Sequence, residues 1–272
     1  MPERPVVVAA HGITGTGPSW NAVRAALGDD VELLTPDLRG RGTAAGWGPP
    51  YGMARHAADL AGLLDERSVT EPVVVAGHSM GGFVAVVMAH LFPDRVRSLV
   101  LVDGGLPVVP AAAPGSDVDV DAILQAVIGP AIARLQMTFE SRDAYRDFWR
   151  QHPAFAGGQW SHWVEEYVDY DLVGTEPELR SGVDQDAVRG DGADLITGTA
   201  LPDALAALAT PSVLLRAERG MLNNPEPLVP ESLARQYPQV TDLGVVPDTN
   251  HYTILLSDHG GAAVADAIRK AL

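Results

Sequence analysis

Six short apolar runs punctuate the chain, and none of them alternates between apolar and polar residues. They are "PVVVAA" (Pro5–Ala10), "VELLTP" (Val31–Pro36), "PVVVAG" (Pro72–Gly77), "VRSLVLVD" (Val96–Asp103), "PSVLLRA" (Pro211–Ala217) and "TDLGVVP" (Thr241–Pro247). A strand with one wet face alternates. A strand covered on both faces does not, and that is the pattern of parallel sheets. Helical patterns lie between the runs: "SWNAVRAAL", "GMARHAADLAGLLDER", "MGGFVAVVMAHLF" and, closing the chain, "GAAVADAIRKAL". Strands alternating with helices predict an α/β fold with a mostly parallel sheet of about six strands and right-handed crossovers.

One connection is out of scale. From Asp103 to Pro211 there is no strand-like run, and so long a stretch must carry structure of its own. "DVDAILQAVIGPAIARLQMTF" reads as a helix broken near Gly129-Pro130. "SRDAYRDFWRQH" starts on an N-cap serine and has an aromatic face, "QWSHWVEEYVDYDL" is a third helix, and "DALAALA" leads back to the sheet. The expected division is a core from residues 1–105 and 202–272, with a helical cap over 106–201. "PVVPAAAPGSDVD" (Pro107–Asp119) reads as the first linker.

Composition removes several classes of function. The formal net charge is −16, the wrong sign for binding nucleic acid or anionic lipid. There is no cysteine, which excludes disulfides, thiolate nucleophiles and Cys-ligated metals. No apolar run reaches the roughly 18 residues that span a bilayer. "MPERPVVVAAHG" lacks the basic and long apolar regions of a secretory signal. The expectation is a cytoplasmic protein.

"GHSMG" (Gly77–Gly81) fits G-x-S-x-G between a strand and a helix. A sharp strand-to-helix turn holds its middle residue in a strained conformation, and small flanking residues avoid clashes across the turn. Ser79 would then project its hydroxyl beside a helix N-terminus, where negative charge is favoured. An acyl-transfer enzyme also needs two N–H donors aimed at the developing oxyanion. The amide of Met80, after the nucleophile, is one candidate. The loop "HGITGTG" (His11–Gly17) offers the other, the amide of Ile13.

"HGITGTGPSW", "PDLRGRG", "GHSMGG" and "NHYTI" occur in the order and spacing of the α/β-hydrolase family. The sheet portion resembles the capped esterases, C–C hydrolases and haloalkane-dehalogenase-like enzymes, whereas the insertion matches only in position and helical character. Family members usually open with an antiparallel hairpin. Here four residues precede Pro5, so the hairpin is expected to be missing. The order serine–acid–histidine places the base at His251, with His259 the other candidate in the closing segment. His78 is expected to point away from the elbow, and His11, His56, His90, His152 and His162 are expected to be structural or exposed. No helical pair of histidines has a metal-ligand offset, so neither a metal nor a cofactor is expected.

The acid poses a problem. In most family members it follows the strand matching "PSVLLRA", and in "AERG" (Ala217–Gly220) that position falls on Gly220. Glu218 is nearby but offset by two residues. The alternative is Asp103, which ends "VRSLVLVD" and corresponds to the acid position of some dehalogenase-like and lactone-cleaving members. A histidine that must be oriented needs a carboxylate, and the expected acid is Asp103, with Glu218 second. A serine at the elbow excludes the dehalogenases and epoxide hydrolases, whose covalent step uses an aspartate. The expected substrate is a mid-sized, largely apolar carboxylic ester, cleaved through an acyl-enzyme. Lactone, thioester and C–C hydrolysis share the same residues, and a non-catalytic ligand-binding module is the alternative of another class. Trp149, Trp160 and Trp163 are the candidate pocket residues of the cap.

Overall fold

The computed structural model describes residues 4–108 and 118–272. Most of the expected linker therefore lies outside the described residues. The six apolar runs form β1 (Val6–Ala10), β2 (Glu32–Leu34), β3 (Val73–His78), β4 (Val96–Val102), β7 (Ser212–Arg219) and β8 (Val240–Asn250). These make one six-stranded sheet in the order β2-β1-β3-β4-β7-β8, parallel at every pairing.

Successive residues of these strands enter opposite cores, as the period of two requires. Val8 and Ala10 of β1, and Val73 and Val75 of β3, pack under α2 (Met53–Glu66), α3 (Met80–Leu91) and α8 (Ala200–Ala206). Val7 and Ala9, and Val74 and Ala76, pack under α1 (Asn21–Leu27) and α10 (Asp258–Ala271). Covering both faces explains the missing alternation. It also explains α3, whose residues from Met80 to Ala89 are all buried because the helix is enclosed by the sheet, α2 and α8.

Between β4 and β7 the chain forms α4 (Val120–Leu135), α5 (Arg142–Arg150), α6 (His162–Asp171), α7 (Gln185–Thr197) and α8. Ser141 and Ser161 cap α5 and α6 by accepting the amides of Ala144 and Val164. Helix α4 breaks at Ile128 (φ −129°, ψ 22°), two residues before Pro130, which has no N–H to continue the helical ladder and whose ring would crowd the Ala126 carbonyl in an unbroken helix. The sequence reading contains no counterpart of α7, nor of the two-stranded ribbon of β5 (Leu172–Val173) and β6 (Arg180–Ser181). The remaining helix, α9 (Glu231–Ala234), is a single turn. Among the described residues no helix is long and apolar enough to cross a membrane.

Candidate active site

The elbow between β3 and α3 is built by two glycines. A Cβ on Gly77 would lie 2.1 Å from the carbonyl oxygen of Gly81, and a Cβ on Gly81 would lie 2.1 Å from that of Ala10. Neither position tolerates a side chain. The turn they permit holds Ser79 at φ 55°, ψ −122°, a conformation that costs a non-glycine residue of order 1–3 kcal/mol and so needs support from its surroundings. That support includes the Ser79 amide, which donates to Val102 of the adjacent strand at 3.1 Å.

Asp103 follows β4 directly and is also in the left-handed region, at φ 44°. Its amide donates to Leu215 at 2.8 Å, and its Oδ1 accepts the amide of Ala217 at 3.1 Å. Both bonds are to β7, the neighbouring strand. The other oxygen, Oδ2, lies 2.7 Å from His251 Nδ1, and the Asp103 side chain is fully buried. The pair fixes the tautomer, with the proton on Nδ1 and Nε2 left for the cavity that Ser79 also lines. Glu218 lies elsewhere. It is 45% exposed and accepts from Arg219 and from the amide of Asp248. At Gly220 there is no room for an acid, because a Cβ would lie 2.5 Å from the Glu226 carbonyl and 2.6 Å from Asn224 Oδ1.

The loop after β8 presents His251 on a turn capped by Asn250. Asn250 Oδ1 accepts the amides of Tyr252 and Thr253, both at 3.0 Å, while Nδ2 donates to Ala154 in the insertion at 2.7 Å. His78 approaches from the other side. Its Nε2–H donates to the backbone carbonyl of His251 at 2.8 Å, and the two rings lie 4.6 Å apart. Burial, together with the neighbouring His251, holds His78 well below the ordinary imidazole range and hence neutral. The expectation that His78 turns away from the site is therefore corrected: the buried turn leaves its ring nowhere to go but against His251. The Asn before His251 was a usable sequence signal for the capped turn. Nothing in the sequence marks His78.

The loop at Gly12 sits against the elbow, since a Cβ on Gly12 would lie 3.2 Å from that of Ser79. The Gly12 carbonyl accepts from His11 Nδ1–H at 2.8 Å and from the Gly15 amide at 3.0 Å. In a trans peptide the N–H points opposite to the C=O. Anchoring the Gly12 oxygen therefore aims the Ile13 N–H the other way. Met80 opens α3, where first-turn amides have no intrahelical acceptor. His11 is buried and lowered to about 4, chiefly by burial, and its Nε2 accepts the Leu38 amide at 2.9 Å.

Gly12, Ile13, Ser79, Met80, Asp103 and His251 line one cavity. Its far walls are apolar: Phe83 from α3, Leu124, Val127, Ile128 and Ala131 from the broken α4, Leu195 from α7, and Met221 and Leu228 beyond β7. No Arg or Lys lines it among the described residues. The three tryptophans expected there are elsewhere. Trp149 is buried in the aromatic core of the insertion with Arg134 over its ring, Trp160 lies under Arg150, and Trp163 donates to Asp258. Aromatic bulk in the insertion gathers around α5 and α6, while α4 and α7 pack a separate aliphatic cluster and α8 joins the core under the sheet. Among the described residues no group of acidic or histidine side chains is arranged to hold a metal ion.

An all-parallel sheet, a strained serine between β3 and α3, and a buried Asp–His pair on the same cavity define the class, and the chain belongs to the alpha/beta hydrolase family, whose model matches residues 7–267. A 134-residue stretch is 39% identical to lipase LipV of Mycobacterium tuberculosis, covering 48% of this chain and 48% of that protein. The matched stretch thus spans about half the length of that relative. Among solved structures, E-2-(acetamidomethylene)succinate hydrolase aligns over 98% of this chain and 91% of its own at 21% identity, with a TM-score of 0.77. A thermophilic esterase from Thermogutta terrifontis aligns over 98% and 90% at 25% identity, with a TM-score of 0.64.

Proposed function

We propose that the protein is a serine hydrolase that cleaves a mid-sized, largely apolar carboxylic ester through an acyl-enzyme. The observation that carries this reading is the 2.7 Å contact between Asp103 and His251 on a cavity shared with Ser79. In the proposed mechanism His251 Nε2 takes the Ser79 proton as Oγ attacks the ester carbonyl. The amides of Ile13 and Met80 receive the charge on the tetrahedral oxygen. His251 returns the proton to the departing alcohol, and the acyl group stays on Ser79. A water, deprotonated by His251, attacks the acyl carbonyl. The acid leaves and the proton passes back to Ser79. Asp103 holds the ring and stabilises its cationic form throughout.

The apolar walls and the missing cation favour a neutral substrate. A carboxylate held near the reacting bond would need a paired charge in so buried a place, and that weighs against C–C cleavage of dienoic acids. The likeness to a lipase supports ester chemistry. The inserted helices α4 and α7 act in this reading as the cap that sets substrate size.

The test is hydrolysis of p-nitrophenyl butyrate by wild type, Ser79→Ala, Asp103→Asn and Glu218→Gln. The reading requires an active wild type, a dead Ser79→Ala, a loss on the order of 10³–10⁴ in kcat for Asp103→Asn and near-normal Glu218→Gln. An inactive wild type that also fails to react with a fluorophosphonate would replace this reading with a non-catalytic binding module.

A further inference from the structure

Three consecutive carbonyls of the loop beside Ser79 are taken up by buried donors. Gly12 is held by His11. Thr14 receives longer contacts from Arg134 at 3.5 Å and from Tyr167 at 3.4 Å, both residues of the insertion. The strongest hold is on Ile13. Its carbonyl accepts two N–H groups of Arg41, from Nε at 3.0 Å and Nη2 at 2.6 Å. A guanidinium is a rigid planar fork, so two bonds to one oxygen fix the direction of that peptide as well as its position.

Arg41 follows β2, and its third nitrogen, Nη1, donates to the Arg39 carbonyl at 2.7 Å. Nη1 also pairs with Asp191 Oδ2 at 2.5 Å, and both side chains are 0% exposed. Asp191 belongs to α7 of the insertion. Its other oxygen accepts the Gly52 amide at 2.7 Å and His56 Nε2 at 2.9 Å, at and near the start of α2. The carboxylate thus closes a chain of contacts from α2 through α7 and Arg41 to the peptide after Ile13. A fully buried ion pair adds little net stability compared with apolar packing of the same volume, so stability alone is a poor account of it.

We propose that Arg41 and Asp191 are positioning residues: the inserted helix α7, through Asp191, locks the Arg41 fork onto the carbonyl of the Ile13–Thr14 peptide, and with the Gly12 carbonyl already held on the other side this fixes Ile13 from both flanks and keeps its amide, part of the Gly12–Ile13 peptide, aimed at the tetrahedral oxygen. This rests on the reading of Ile13 as an oxyanion donor. In this arrangement the insertion completes the oxyanion hole as well as walling the cavity.

The experiment compares wild type, Asp191→Asn, Arg41→Lys and the double variant Arg41→Met/Asp191→Asn. The readouts are kcat and KM on p-nitrophenyl butyrate, melting temperature, and inhibition by an alkyl trifluoromethyl ketone, whose adduct with Ser79 places an oxyanion in the hole. Misaiming one donor predicts a kcat reduced about ten- to hundredfold with KM changed by no more than about threefold. Ketone inhibition should weaken in parallel with kcat/KM. Arg41→Lys keeps a charge for Asp191 but cannot fork onto Ile13, so it should show the same defect. The double variant removes both charges while Asn can still accept from Gly52. It should melt closer to wild type than Asp191→Asn and still lack ketone affinity. Recovery of kcat and ketone affinity along with melting temperature would overturn the proposal and leave the pair a structural one. If wild type itself neither turns over the ester nor binds the ketone, the hydrolase reading fails and this one falls with it.

Discussion

The neutral ring of His78 donates its Nε2–H to the carbonyl of His251 at 2.8 Å, so the residue beside the strained serine holds the backbone of the histidine expected to act on it. Serine and base are thereby tied through adjacent residues of one turn. His78→Ala leaves the His251 carbonyl without this donor, a loss of about 1–3 kcal/mol of stability. It also frees the His251 turn to shift. Kinetics and urea unfolding together should show kcat lowered about tenfold or more, by analogy with the steep cost of a misplaced catalytic group, and KM nearly constant. Unchanged kcat in a folded variant would show that Asp103 and Asn250 suffice to place His251.

Gly220→Ala tests why the proposed acid stands at the end of β4. The added Cβ would meet the Glu226 carbonyl at 2.5 Å and Asn224 Oδ1 at 2.6 Å. Such overpacking costs about 1–3 kcal/mol, visible as a lowered melting temperature. Gly220→Asp in an Asp103→Asn background should stay inactive. Restored activity there would mean that the β7 turn can re-form as an acid-bearing loop.

Stability should fall as pH drops below neutral. The ordinary imidazole value is 6.5; His11 is pushed down to about 4 by burial, and burial also lowers His78, His251 adding to the effect, and His152, with Arg134 adding to it. The unfolded chain binds these protons at a higher pH than the folded one. Their stabilisation is complete above 6.5 and is lost progressively as pH falls toward 4. Each such group contributes a slope of up to about 1.4 kcal/mol per pH unit. Urea midpoints at pH 7.5, 6 and 5 should decline, less steeply in His78→Gln. A flat profile would mean that these rings protonate in the folded protein without penalty.

The break in α4 puts Leu124, Val127, Ile128 and Ala131 on the cavity wall. Ile128→Ala should shift kcat/KM toward longer esters, by roughly 0.8 kcal/mol, about fourfold, for each methylene accommodated. A p-nitrophenyl ester series of increasing acyl length measures this. A uniform loss across the series would place Ile128 outside the substrate's path.

The sheet was legible because burial on both faces erases alternation, and the six apolar runs coincide with its six strands. The β3–α3 turn was legible because only glycine fits at 77 and 81. Helix α7 was not. Its interior carries Gly190 and Gly192, which lower helix propensity. Their purpose is tertiary, since a Cβ on Gly190 would meet the Tyr51 ring at 2.8 Å and one on Gly192 would meet Leu124 at 2.4 Å. The tryptophans misled for a related reason: an aromatic residue in a helical insertion can face the cavity or the insertion's own core, and periodicity does not separate the two. The Arg41–Asp191 pair joins residues 150 positions apart and leaves no local mark on the sequence.

With Asp103 on β4, the proposed nucleophile, acid and both oxyanion donors all come from the first 105 residues, and the turn after β7 carries no acid. That turn nonetheless reaches the cavity through Met221 and Leu228. In the proposed reading this sets the reacting groups apart from a wall segment that carries none of them, though Asn223 within it accepts a hydrogen bond from Asn250 beside His251. Substitutions at Met221 and Leu228 are therefore the natural place for selection, or a designer, to change what the protein accepts while leaving the proposed reacting groups untouched.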